Sequence, residues 1–274
     1  MYRSTQQTLS LPPFTPTVTW LLAINTAVFF ALTLLGLSDP LLVARVMLWF
    51  GLQPSAAVHG WVWQVVTYSM LHASFIHWFF NMLALWMFGP QIEGIRGSRY
   101  FFELYLAGVI GGALFSIGLS YSGALGDPGT VTVGASAGIY AVLMAFGILF
   151  AESEIILIPL PMQIKAKYLV AILIVVTLVF SLQERRGIAD IAHLGGLLFG
   201  YFFVKFVPRR GLSFKLSESY YVIRNSFHKV KRRLAARKFE VYMRDMEKRS
   251  QSPEEQAPLH PPDDKRNGPG GWVN

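Results

Sequence analysis

The sequence predicts an all-α polytopic membrane protein, a six-transmembrane-helix bundle with an interfacial first loop. Three observations carry that reading. Of 274 residues, 53% are hydrophobic and 14% aromatic, and the mean hydropathy of +0.42 is far from that of a soluble chain. Six apolar stretches of near-membrane length follow one another along the chain. The long connection after the first stretch carries Trp49, Trp61 and Trp63, the residue type enriched where protein meets the membrane surface.

The stretches run from Thr17 to Leu37, Ala73 to Phe88, Arg99 to Ser120, Val133 to Phe150, Tyr168 to Leu182 and Ile191 to Val207. Several are shorter than the roughly 20 residues of a simple span, which points to a bundle whose outer ends stop below the surface, or to a thinned bilayer. The first follows a polar start whose one charge is Arg3 and lacks a small-residue cleavage site, so it reads as an uncleaved anchor. Loop one, from Ser38 to Leu71, is too long for a simple connector and is expected to lie sideways at the interface.

Three regions result. Residues 1–16 form a cytoplasmic N-terminal segment, 17–207 the membrane domain, and 208–274 a basic cytoplasmic tail. The tail holds fifteen Lys and Arg against eight Asp and Glu, so it supplies +7 of the net charge of +8. Its expected partner is the anionic lipid surface, where a juxtamembrane Lys or Arg gains about 1 kcal/mol; no nucleic-acid partner is expected. Ser213 to Arg249 mixes Phe, Leu and Tyr with Lys and Arg and reads as an interfacial amphipathic helix, and the Pro-, Gly- and charge-rich segment after Ser250 reads as disordered. Positive charge orients the bundle. With the N-terminus inside, Arg3, Arg96, Arg99, Lys165, Lys167 and the tail all lie inside, and Arg45, Arg185 and Arg186 outside.

The chain has no cysteine, which excludes disulfides, thiol nucleophiles and Cys-ligated zinc. The chemistry falls to other groups. With six spans, the fourth and sixth both run inward. Fifteen residues separate Ser136 from Ala151, just before Glu152, and fifteen separate His193 from Pro208, just before Arg209. At about 1.5 Å per residue, both side chains lie roughly 8 Å below the outer edge of a ~30 Å hydrocarbon core, so water must reach them through a cavity. The second span adds His72, His77 and Asn81, the last two four residues apart and on one helix face.

A serine hydroxyl needs a neighbouring base to become a nucleophile, and neutral histidine is the usual one near pH 7. His193 is that candidate. Ser136 opens a helix, where free N–H groups and the positive dipole end would meet a developing oxyanion, and His77 and Asn81 could complete the anion site. Alternatively, those two hydrogen-bond between helices as polar groups in spans often do. Tyr140, one turn beyond Ser136, is placed to pack on the imidazole, with ordinary bundle packing as the alternative, and Gly196 and Gly200 follow His193 at one-turn spacing, leaving a groove for another helix. Asp190, three residues before His193, is expected in the outer loop on another face, which favours a Ser-His dyad over a triad. The Gly134-Ala135-Ser136-Ala137-Gly138 string also fits the nucleophile elbow of soluble α/β-hydrolases, but its flanks are lipid-length apolar runs. A metal site built from His59, His72, His77 and His193 lacks an HExxH motif and a carboxylate cluster.

Over Thr17 to Val207 the chain resembles the rhomboid family of intramembrane serine proteases. The resemblance rests on His72-x4-His77-x3-Asn81, on Gly134-x-Ser136, and on Ala192-His193-x2-Gly196-x3-Gly200, with Glu93 and Arg99 as further family features. It implies Ser136 as nucleophile, His193 as general base, and His77, Asn81 and the Ser136 N–H as oxyanion stabilisers. It further implies Tyr140 against the catalytic histidine, His72 as a brace for loop one, and single-pass transmembrane substrates entering past the second and fifth spans. No cofactor is implied. Two departures stand out: Ala137 where the family commonly has glycine, and Trp63-Gln64 where it commonly has Trp-Arg. The second removes a charge that could hold the loop to lipid headgroups. The rival readings are a catalytically silent family member that binds membrane proteins, and a solute transporter, for which no repeat or broken-helix pair speaks. A bacterial inner membrane is the expected location, and the sequence assigns no oligomeric state.

Overall fold

A computed structural model describes residues 12–123, 126–157, 162–183, 188–208 and 211–251. Arg3, Arg185, Arg186, Arg209, Arg210 and the segment after residue 251, on which parts of the orientation and disorder readings rest, lie outside the described residues.

Helix α1 (Pro16–Ser38) starts with proline at its first position, where no intrahelical N–H bond is lost. Loop one is a chain of short helices: α2 (Pro40–Phe50), α3 (Pro54–Val58), α4 (Gln64–Thr67) and a 3-10 turn (Tyr68–Met70). Asp39 caps α2 by accepting from the Leu42 N–H at 2.9 Å. The Trp61 ring stacks on Trp63 and meets Trp49 at a tilt, and the Trp63 indole donates to the Trp49 carbonyl.

Helix α5 (Phe75–Arg96) is capped by Ser74, whose hydroxyl accepts from the His77 N–H. It runs eight residues beyond the apolar stretch and passes through Pro90. Glu93 explains the extension. Its buried carboxylate accepts from Thr15 Oγ1 (2.5 Å), Thr17 N (2.8 Å), Val18 N (3.0 Å) and Ser98 Oγ (2.6 Å), so it caps α1 and ties it to the start of α6 (Ser98–Tyr121). Gly97, at φ 87°, makes the one-residue turn between α5 and α6.

Helix α7 (Ser136–Leu149) begins three residues later than the apolar stretch, because Thr132 is extended and paired with Leu52 of loop one in both directions (2.9 and 2.8 Å). An antiparallel hairpin, β1 (Glu154–Leu157) and β2 (Met162–Lys165), then corrects the all-α expectation. Its β-branched Ile155, Ile156 and Ile164 suit a strand, and Lys165 and Lys167 pair with Glu152 at its base. Helices α8 (Ala166–Gln183) and α9 (Ile188–Phe206) follow.

The core is built by α6, α7 and α9, whose mutual contacts are the most extensive in the molecule. Small residues make this possible. A Cβ on Gly112 of α6 would lie 2.6 Å from Ala137 Cβ and 2.8 Å from the Ala192 carbonyl, and one on Gly195 would lie 2.8 Å from the Gly111 carbonyl. Backbones meet where side chains would otherwise hold them apart.

Taken singly, α1 and α6 are long and apolar enough to cross a membrane; α4 and the 3-10 turn with α5 count as a third such unit, broken by 97°. Helices α7, α8 and α9 are apolar but contribute shorter apolar segments. Length and composition among the described residues therefore support a multi-pass membrane protein without establishing six crossings. Helix α10 (Leu212–Gln251) continues the chain, and residues from Ser217 onward form a unit of their own. Its exposed apolar side chains include Leu234, Phe239, Val241, Tyr242 and Met243, while those of Leu216, Tyr220, Ile223, Phe227 and Val230 lie outside the described residues, and with them much of the amphipathic face expected for Ser213 to Arg249.

Candidate active site

Ser136 is the first residue of α7, so the helix's first N–H groups, its own included, have no intrahelical partner. His193 sits in the second turn of α9. The two helices approach where Gly196 and Gly200 of α9 face Ala137 and Ala141 of α7; a Cβ on Gly200 would lie 2.6 Å from Ala141 Cα. That contact brings Ser136 Oγ to 2.7 Å from His193 Nε2, a hydrogen bond spanning 57 residues of sequence. The Tyr140 ring stacks on the imidazole, centroids 4.5 Å apart and planes at 20°.

Gly134 adopts φ +132°, a conformation that side-chain-bearing residues rarely take. A Cβ there would stand 2.7 Å from His77 Cε1, 2.8 Å from His77 Nε2 and 3.5 Å from Ser136 Oγ. The missing side chain is therefore the space the His77 imidazole occupies beside the hydroxyl. Asn81 lies one turn along α5 and is buried, and its Nδ2 has no hydrogen-bond partner among the described residues. His72 is also buried, in the break before α5, with its ring edge-on to His77 at 5.2 Å.

The 2.7 Å contact is short enough for a proton to pass between Ser136 Oγ and His193 Nε2. Asp190 belongs to α9 and not to the preceding loop, because that helix already begins at Ile188; its side chain lies outside the described residues. Among the described residues no three His, Asp or Glu side chains converge as a metal site would require.

Two supports escape the sequence reading. Tyr68 holds the turn before the serine: its carbonyl accepts from the Gly134 N–H at 2.9 Å, and its buried hydroxyl donates to the Val109 carbonyl of α6 at 2.7 Å. The Gly108-x2-Gly111-Gly112 face of α6 backs both α7 and α9. Its close-packing signal is the small-residue spacing within the third apolar stretch, the same kind of signal that marked α9.

Comparison with known proteins agrees with this architecture. The rhomboid domain family matches residues 59–210, more than half of the chain. The chain is 32% identical over 151 residues to rhomboid protein 1, mitochondrial, of Saccharomyces cerevisiae, covering 53% of this chain and 43% of that one. It is 28% identical over 192 residues to rhomboid protease GluP of Bacillus subtilis, covering 68% and 34%, and 29% identical over 195 residues to putative rhomboid protease YdcA of the same organism, covering 68% and 85%. The match thus spans about half the length or less of the first two relatives. With a family match that takes in all three helices of the core, and with apolar helices throughout that span, the chain belongs to the rhomboid family of membrane proteins.

Proposed function

We propose that the protein is an intramembrane serine endopeptidase that cleaves single-pass transmembrane substrates near the outer membrane face. The observation that carries the reading is the 2.7 Å contact between Ser136 Oγ and His193 Nε2, held between two tightly packed apolar helices.

In this mechanism His193 Nε2 takes the Ser136 proton as Oγ attacks the scissile carbonyl carbon. The oxyanion forms against the Ser136 N–H, His77 and Asn81, and the imidazolium then protonates the leaving amine. Water, deprotonated by His193, releases the acyl group and restores the hydroxyl. Tyr140 keeps the imidazole in the plane these transfers need, and Gly134 leaves room for His77. Helical backbone is already hydrogen-bonded internally, so the substrate must unwind locally before Ser136 can reach it.

The same reading takes α1, α5, α6, α7, α8 and α9 as six crossings, with 1–16 and 208–274 cytoplasmic, loop one at the outer interface, and a bacterial inner membrane as location. Lys165, Lys167, Arg96 and Arg99 on one side support that orientation.

The test is incubation of the full chain in liposomes with a tagged single-pass substrate, comparing wild type with Ser136→Ala and His193→Ala. Both variants should lose cleavage, and Ser136→Ala should lose fluorophosphonate labelling. Cleavage that survives either substitution removes the dyad. Substrate bound but uncut by the wild type indicates a silent binding member of the family.

A further inference from the structure

Gln64 stands where the family's usual pair has arginine, yet it does not face lipid headgroups. It is fully buried in loop one. Its amide oxygen accepts from the Gln53 N–H at 3.0 Å, and its amide nitrogen donates to the carbonyls of Leu48 at 2.9 Å and Trp49 at 3.3 Å. An amide is both donor and acceptor, and this site uses both functions.

The residues it holds lie against the segment that leads into α7. Leu52, next to Gln53, exchanges both backbone hydrogen bonds with Thr132. The Gln53 side chain donates to the Gly129 carbonyl at 3.1 Å, and the Ser55 N–H donates to the Pro128 carbonyl at 2.9 Å. Gly51 completes the seam, since a Cβ there would lie 2.6 Å from Val131 Cγ1 and 3.2 Å from Val133 Cγ1. Residues 128–133 are therefore laid along one edge of loop one. The next residue is Gly134, which sits against His77, and two further on is Ser136.

We propose that Gln64 is a positioning residue for Ser136. By fixing the Gln53 N–H and the Leu48 and Trp49 carbonyls, it sets the edge on which Thr132 pairs, and through it the placement of Gly134 and the serine relative to His193 and His77. The inference rests on the catalytic reading above and adds to it a residue that touches neither substrate nor reacting atoms. It also gives the departure from arginine a reason: a guanidinium donates but cannot accept, and would leave the Gln53 N–H unpaired.

The experiment uses the full chain and measures, per folded molecule, the second-order rate of fluorophosphonate labelling, together with kcat and KM on a tagged single-pass substrate. Three variants are compared with wild type. Gln64→Met keeps the length and removes every hydrogen bond. Gln64→Glu keeps an acceptor for Gln53. Glu93→Gln weakens the fold at the far end of α5, away from the seam. Small misplacement of reacting groups costs up to about 100-fold, so Gln64→Met should lower labelling and kcat by roughly 10- to 100-fold with KM within about two-fold, Gln64→Glu should lose at least as much because its second oxygen faces the Leu48 and Trp49 carbonyls, and Glu93→Gln should label at the wild-type rate.

Labelling by folded Gln64→Met at the wild-type rate overturns the proposal, and so does an equal loss in Glu93→Gln, which would make the effect one of general stability. If Gln64→Met does not fold, Gln64→Glu decides: reduced labelling at unchanged KM supports positioning, and unchanged labelling overturns it. Labelling that persists in Ser136→Ala would instead sink the catalytic reading itself, independently of Gln64.

Discussion

Gly196 of α9 lies against the main-chain carbonyl of Ala137, the residue that follows Ser136, so closely that a Cβ would collide with the carbonyl oxygen and stand 3.1 Å from Ala137 Cα. The obstacle is backbone, which cannot rotate away as a side chain does. The α7–α9 distance, and with it the Ser136–His193 hydrogen bond, depends on that missing methyl group.

Gly196→Val should therefore destabilise the fold by at least the roughly 1–3 kcal/mol typical of overpacking and should cut fluorophosphonate labelling of the molecules that remain folded. Gly94 of α5 is the control, since a Cβ there meets nothing within 4 Å. Gly94→Ala should raise stability by about 0.5–1 kcal/mol through helix propensity and leave labelling unchanged. Equal thermal midpoints for Gly196→Val and wild type would show that the helices have slack the coordinates do not reveal.

The proximity of Ser136 and His193 was legible in the sequence on separate grounds. Ser136 and His193 each precede a charged boundary by fifteen residues, and two helices entering from one side place such residues at one depth. The start of α7 was not legible in that way. Val131 and Val133 are apolar whether helical or extended, and only the pairing of Thr132 with Leu52, eighty residues away, selects the extended form. Gln64 was open to misreading for a related reason: a polar loop side chain reads as outward-facing until the backbone groups around it are found to need it. The β1–β2 hairpin has strands of only four residues each, too short for a periodic pattern to stand out in an apolar chain.

Tyr140 offers its ring face to the imidazole at 4.5 Å between centroids. Tyr140→Phe keeps that face and should retain kcat within a few-fold. Tyr140→Ala leaves His193 free to turn out of line and should lower kcat by about 10- to 100-fold, as loss of orientation commonly does. The check is the kcat and KM of both variants on one transmembrane substrate. Equal kcat values would assign the ring to packing alone.

At the base of the hairpin, Lys165 first and then Lys167 hold the Glu152 carboxyl down to about 2 from its ordinary 4.5. A depressed carboxyl contributes stability in full above its unfolded-state value, and loses that contribution as the pH falls from about 4.5 through about 2. The group is fully exposed, so the effect is small and screened by salt. Amide-exchange protection of Ile155 and Ile164 should weaken across that window at low ionic strength, and Glu152→Gln should remove that part of the pH dependence. An unchanged pH profile in the variant would show that the ion pairs do not hold the strands.

Gly134 joins a backbone requirement to a chemical one. At φ +132° an L side chain is strained, and the position a Cβ would take lies within 2.8 Å of two atoms of the His77 ring. Gly134→Ala must either shift the turn that carries Ser136 or push His77 off the hydroxyl. The first outcome moves Ser136 away from His193 as well as from His77, and the second leaves the Ser136–His193 pair in place while removing the donor that the proposed mechanism assigns to the oxyanion position, where one lost donor costs roughly 100- to 1000-fold in kcat. The variant should therefore lose kcat on that scale with KM little changed, and His77→Ala in the same background should add much less than it does in wild type, because both substitutions remove one interaction. Independent, multiplying losses from the two would mean that Gly134 and His77 serve different steps, and the contact between them would then be packing without catalytic consequence.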